Sequence, residues 1–154
     1  MRAQDGSILL PDVAATESLG RKLGLLLRPG DIVALFGDLG AGKTSLARGV
    51  LSALGLVGEA PSPTFAIVQP YAPPELSLPV AHVDLYRIDN PGDAGELGLD
   101  EMLEDGALLI EWPERLGADL WPQALRLTLE PDPSGGRRLT WETPEAWEAR
   151  WPPR

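Results

Sequence analysis

The chain contains no cysteine. Disulfides and thiolate-held metals are therefore excluded, and a cytoplasmic setting is the expectation that such a composition supports. Lysine is nearly absent too, with two residues against eleven arginines. Positive charge as a whole is short: Lys and Arg number 13, Asp and Glu 23, for a formal net charge of −10. A surface that neutralises nucleic-acid phosphates needs clustered cations, yet only Arg21-Lys22 and Arg137-Arg138 form even pairs. The chain is thus not expected to grip nucleic acid alone. No run approaches the ~20 apolar residues of a membrane span. Met1-Arg2-Ala3-Gln4-Asp5 lacks an apolar signal segment, so no membrane association is expected. Internal repeats and low-complexity tracts are missing. A length of 154 residues suits one domain over 1–154, with a real core and no room for a second. Sixteen prolines and the arginine bias fit either a hot habitat or a GC-rich genome.

Against these absences stands one dense motif. Gly37-Asp38-Leu39-Gly40-Ala41-Gly42-Lys43-Thr44 fits G-x-x-x-x-G-K-[ST], the phosphate-binding loop of nucleotide-hydrolysing proteins. Ile32-Val33-Ala34-Leu35-Phe36 before it is a continuous apolar run, the signature of a strand buried on both faces. After it, Leu46, Ala47, Val50, Leu51 and Leu54 recur at helical spacing, and Gly55 sits where a left-handed helix stop would fall. Glycines let a loop turn tightly and aim several N–H groups at one phosphate. The following helix adds its N-terminal partial charge. Lys43 is placed to reach the β- and γ-phosphates, and the Thr44 hydroxyl to ligate Mg²⁺. One of the two lysines of the chain is thus spent on this loop.

The rest of the chain reads as follows. Ser7-Ile8-Leu9-Leu10 suggests a short edge strand. Asp12 or Thr16 can cap a helix with Leu19, Leu23, Leu26 and Leu27 on one face, ended by Pro29-Gly30-Asp31. Pro61-Ser62-Pro63-Thr64 leads into Phe65-Ala66-Ile67-Val68 as a strand. Ser62 and Thr64 are either turn residues satisfying local backbone, or a switch sensing Mg²⁺ and γ-phosphate. Val80 to Tyr86 alternates, with His82, Asp84 and Tyr86 on one face and Ala81, Val83 and Leu85 on the other. That polar row is either a solvated face or, with Arg87 next to it, a functional one. His82, the only histidine, is read as a hydrogen-bonded structural residue rather than a ligand. Asp89 to Glu104 suggests short helical pieces over the sheet edge. Ala107-Leu108-Leu109-Ile110-Glu111 is an apolar strand ending in a carboxylate, the natural companion (Walker B) of a phosphate loop. Trp112 and Trp121 are assigned to core filling. Leu125–Leu129 and Leu139–Trp141 form a hairpin through Pro131–Gly136, and Trp147 and Trp151 a docking turn.

Taken together, the loop at Gly37–Thr44, Ser62-Pro63-Thr64-Phe65, His82-Val83-Asp84-Leu85-Tyr86-Arg87 and Ile110-Glu111-Trp112-Pro113 closely resemble the bacterial TsaE (YjeE) family. The blocks span most of residues 11–115; beyond residue 120 the likeness is loose. The resemblance implies a small P-loop ATPase using ATP and Mg²⁺, acting with the partner proteins TsaB and TsaD. Together these transfer a threonylcarbamoyl group to an adenosine beside the tRNA anticodon, and tRNA is met only indirectly by the ATPase, which supports turnover rather than transfer. It also implies residue roles. Gly37 to Ser45 and Thr64 contact the nucleotide, and Lys43, Asp84 and Glu111 carry the chemistry. Thr44, Glu111 and Asp84 surround the metal, and Thr64 belongs to the switch loop. Trp112, Tyr86 and Arg87 match motif residues near the site. Ser45 replaces a second threonine and keeps the hydroxyl.

The expected fold is α/β: a P-loop domain with a central mixed sheet flanked by helices, antiparallel additions from a Phe65/Val80 pair, and an antiparallel C-terminal hairpin. Two rival functions share the loop. A small-molecule kinase would need an arginine-rich lid, and residues 89–120 offer only Arg115. A nucleotide-gated binding module that hydrolyses little has no use for a second carboxylate such as Asp84.

Overall fold

A computed structural model describes residues 4–38, 42–57, 68–88 and 90–153. Its strands are β1 (Gln4–Leu10), β2 (Ile32–Phe36), β3 (Val68–Tyr71), β4 (Val80–Asp84), β5 (Ala107–Glu111), β6 (Leu125–Pro131) and β7 (Arg137–Thr143). They form one seven-stranded sheet in the order β1-β7-β6-β2-β5-β4-β3. The four inner strands β6, β2, β5 and β4 are parallel. The antiparallel pairs β3/β4 on one side and β6/β7 and β7/β1 on the other complete a mixed sheet. The α/β class and the C-terminal hairpin are as the sequence indicates.

The parallel strands are apolar runs because both of their faces are covered. On one face lie α1 (Val13–Gly24) and α2 (Lys43–Ala53), packed through Leu23, Leu46, Ala47, Val50 and Leu51 onto Val33, Leu35, Leu109, Leu125 and Leu127. On the other, the 3₁₀ turns Pro91–Leu97 and Pro113–Asp119 and the single-turn α3 (Leu99–Met102) cover Ile32, Ala34, Ala81, Val83, Leu108 and Ile110.

The two helices approach backbone to backbone. A Cβ on Gly20 would lie 2.2 Å from the Leu46 carbonyl oxygen, and one on Gly49 2.1 Å from that of Glu17. No side chain fits in that crossing. It holds α2 rigidly and thereby fixes where its first residue, Lys43, stands. Asp12 is the residue that caps α1, its carboxylate accepting from the Ala15 N–H at 2.8 Å. The C-terminal turn docks as expected: Trp147 and Trp151 are buried, and the Arg150 guanidinium lies 4.0 Å over the Trp147 ring. Arg150 also grips Asp31 with both terminal nitrogens, at 2.6 and 3.0 Å, pinning the start of β2.

The expected antiparallel addition to β4 is present in β3, whose described residues start at Val68 opposite Val83; Phe65, Ala66 and Ile67 lie outside the described residues. Of the two readings of the alternating β4, the solvated face is excluded: the strand lies between β3 and β5, so His82 is 1% exposed and Asp84 half-buried. One expectation needs correction, since the strand ends at Asp84, before Tyr86.

Candidate functional site

The parallel strands all end at one edge of the sheet, and their ends bring distant residues together. Asp84 and Glu111 are register partners across β4 and β5, and Leu35 is the partner of Glu111 across β2 and β5. Side chains two apart share a face. His82, Asp84 and Glu111 therefore share a face with Leu109, which belongs to the core beneath α1 and α2. The polar row lies on the side of the sheet from which Lys43 enters.

Between β2 and α2 runs the glycine loop, of which Gly37, Asp38 and Gly42 are described and Leu39, Gly40 and Ala41 are not. Gly42 directly precedes α2 at φ +104°, a left-handed conformation that only glycine adopts cheaply. Among the described residues no side chain caps α2, and no acid stands in its first turn. Its first N–H groups, including those of Lys43, Thr44 and Ser45, lack helical acceptors and carry the helix's partial positive charge. The contrast with the Asp12-capped α1 is plain: α2 begins as an open anion site.

Lys43 is 4% exposed. Its ammonium donates to the Gly37 carbonyl at 2.6 Å, bridging the two ends of the loop, and lies 3.8 Å from the Trp112 ring centre. Burial lowers its pKa below the ordinary lysine value, and the negative charges of Glu111, Glu114, Asp84 and Asp38 oppose that fall. Trp112 is the one non-glycine residue at positive φ among the described residues, at +60°, a conformation costing about 1–2 kcal/mol. This strained step directly after Glu111 lets the indole do more than fill the core. One part packs against the second cluster, while the ring meets Lys43 and Tyr86, the latter at 4.9 Å. Arg115 lies over Tyr86 at 5.7 Å. Core filling describes Trp121 better, although its Nε1 also donates to Asp100.

Asp84 accepts the Tyr86 N–H at 2.9 Å. Burial raises its pKa above the ordinary aspartate value. The Glu111 charge pushes the same way, and the Tyr86 N–H, Lys43 and His82 oppose it. A folded-state pKa above the unfolded one means that ionised Asp84 weakens the fold, and that the penalty fades as pH falls through the folded value. Asp84→Asn is therefore expected to raise the melting temperature without nucleotide or Mg²⁺. The gain should be full near pH 7 and shrink toward the ordinary aspartate range near pH 4. Thermal unfolding at several pH values checks it; a loss of stability at pH 7, unaltered by acid, is the contrary result.

His82 is hydrogen-bonded, as the sequence indicates, but its partner is the site itself: Nε2 lies 2.6 Å from Glu111 Oε2, with both residues buried. Among the described residues no three Asp, Glu, His or Cys side chains cluster as a metal cage. The donors available are the Thr44 hydroxyl and the Asp84 and Glu111 carboxylates. Mg²⁺ suits such a set, since it prefers oxygen and is usually held by one or two carboxylates with water and substrate phosphates. Thr64, Ser62 and Phe65 lie outside the described residues, and Arg87 is exposed on the turn after β4.

A cavity of about 390 Å³ that no sequence motif signals lies beside the loop, lined by Asp12, Thr16, Gly42, Ser45, Gly136 and Arg137 among others. Leu10 and Arg137 are register partners in β1 and β7. Only that pairing brings the start of α1 and the hairpin to the loop; no local motif encodes it.

The sequence model of the threonylcarbamoyl adenosine biosynthesis protein TsaE matches residues 10–139, from the end of β1 into β7. The chain belongs to the TsaE family. A Streptomyces coelicolor TsaE is 43% identical over 113 residues, covering 73% of this chain and 76% of that protein. Its Synechocystis counterpart is 41% identical, covering 75% of each, and that of Mycobacterium tuberculosis 39%, covering 81% and 79%. Each of the three is named a tRNA threonylcarbamoyladenosine biosynthesis protein. Among solved structures, Bacillus subtilis YdiB superimposes with a TM-score of 0.78 at 26% identity, covering 93% of this chain and 88% of that one. The TsaE match contains α1, the loop, α2, β4 and β5, so all the described site residues fall within it.

Proposed function

We propose that this chain is the Mg²⁺-dependent ATPase component of tRNA threonylcarbamoyladenosine formation, acting in the cytoplasm with TsaB and TsaD and meeting tRNA only through them. The observation that carries the proposal is the convergence of Lys43, Asp84 and Glu111 on the uncapped start of α2. In that arrangement the loop and α2 N–H groups bind phosphate oxygens, and Lys43 exchanges the Gly37 carbonyl for the β- and γ-phosphates. The adjoining cavity takes the nucleoside. When bound, Mg²⁺ held by Thr44 and the carboxylates would neutralise phosphate charge. Glu111 and Asp84 hold and orient water near the γ-phosphate. Catalysis of this kind is positioning and electrostatics, with no covalent intermediate.

The same protein should be slow alone. Its net charge of −10 denies it the counterion-release term that drives nucleic-acid affinity. Arg87 and Arg115 are the arginines next to Tyr86 and Trp112, and completion of such a site by a partner commonly brings the missing positive charge. Phosphate release from ATP, measured with and without TsaB and TsaD and with no acceptor, is expected to rise strongly in the assembly. Labelled tRNA is expected not to bind the lone chain at physiological salt. A partner-indifferent rate, or tight tRNA binding by the chain alone, overturns the corresponding half. Phosphate transfer that requires a small-molecule acceptor would identify a kinase instead.

A further inference from the structure

We infer that His82 is a positioning residue: it holds Glu111 in the one orientation the site requires, without itself touching nucleotide or metal. The inference rests on the ATPase proposal above and adds to it a residue that acts through another.

The pair is short and dry. Nε2 of His82 and Oε2 of Glu111 are 2.6 Å apart, and the residues are 1% and 4% exposed. An ionised carboxylate can only accept hydrogen bonds, so Nε2 is the donor. Nδ1 is then a lone pair, and it is a buried atom with no hydrogen-bond partner among the described residues. The ring is thus a directed donor with one use. His82 is itself immobile, being in the middle of an inner parallel strand whose neighbours in β5 and β3 are Leu109 and Gln69. Glu111, in contrast, ends its strand, and the next residue leaves at a positive φ. A glutamate side chain with three rotatable bonds gains most from an anchor in that position.

The anchor also divides the labour of the carboxylate. Oε2 is committed to the ring, which leaves Oε1 for a metal-bound water or the attacking water. Partners of this kind around a ligating group typically contribute 10- to 100-fold in metal affinity or activity. Asp84 cannot replace the anchor, because it has no proton to donate while ionised and is occupied by the Tyr86 N–H.

The test compares His82→Gln with His82→Asn. Both are polar and uncharged, but the glutamine amide reaches the position of Nε2 and the asparagine amide stops one bond short. His82→Asn is expected to lower kcat about 10- to 100-fold and to raise the Mg²⁺ concentration needed for tight ATP binding by calorimetry. Affinity for ATP in EDTA should stay at the wild-type value, and His82→Gln should recover most of both losses. In a Glu111→Gln background, His82→Asn should cost little more, since its target is gone. If both His82 variants lose melting temperature, kcat and metal-free ATP affinity together, or if the losses remain additive with Glu111→Gln, His82 is merely structural and the inference fails. A wild type whose ATP affinity ignores Mg²⁺ overturns the ATPase proposal, whereas a Mg²⁺-dependent wild type matched by His82→Asn overturns this inference alone.

Discussion

Lys43→Ala is expected to abolish productive Mg²⁺-ATP binding while leaving the fold intact. The ammonium is buried at the start of α2, and burial pulls its pKa down, so its charge is a cost to the empty fold rather than a support. Its contacts there are the Gly37 carbonyl and the Trp112 ring. The same ammonium would make the charge-assisted contacts to two phosphates, each worth roughly 1.5–3 kcal/mol. Losing one such contact lowers affinity about tenfold to a hundredfold, and losing both lowers it further. Calorimetric titration with Mg²⁺-ATP should therefore show at least a ~10²-fold weaker constant. The melting temperature should fall by no more than ~3 °C, about 1 kcal/mol for a chain of this size. Lys43→Met keeps the apolar stem under Trp112 and separates lost packing from lost charge. Unchanged ATP affinity in a well-folded Lys43→Met would remove the loop from the site.

How much of this was legible in the sequence depended on whether the signal was local. Strand β2, the loop and α2 are contiguous, so periodicity and the glycine pattern fixed their order directly. Glu111 was legible because a carboxylate ending an apolar run is conspicuous. The sheet class followed from apolar runs alternating with helices, and the hairpin from Pro131–Gly136. What the pattern left open was burial. In β4, period-two alternation is equally the mark of a half-solvated strand, and only the neighbours β3 and β5 make it an inner one. The contact of His82 with Glu111 depends on the register of those strands, which no single segment encodes. The left-handed turn at Trp112, which sets the indole against Lys43, likewise has no glycine to announce it. The cavity beside Gly42 is the extreme case, since Thr16 and Arg137 are joined there only through the β1/β7 pairing.

Glu111→Ala carries the largest expected effect on chemistry, and the register of β4 and β5 sharpens what it should do. Glu111 and Asp84 are adjacent across the strands, yet they are not equivalent. Asp84 is half-buried, binds the Tyr86 N–H, and has its ionised form disfavoured by burial. Glu111 is fully buried and is hydrogen-bonded to the His82 ring. Of the two carboxylates, Glu111 is thus the one held in place before any ligand arrives. Preorganised charge is worth most in the transition state, where it needs no rearrangement. Its loss should therefore fall on kcat rather than on affinity. Steady-state hydrolysis in the TsaB and TsaD assembly is expected to drop at least ~10²-fold for Glu111→Ala, the scale of removing one electrostatic contributor. ATP affinity should change far less. Asp84→Ala should also slow hydrolysis if the two carboxylates share the metal, but its deficit should be relieved in part by raised Mg²⁺, because a looser, half-buried ligand acts mainly through occupancy. If Glu111→Ala turns over ATP normally and Asp84→Ala does not, the metal and water-positioning role belongs to Asp84, and the buried His82–Glu111 pair is only a strut between strands.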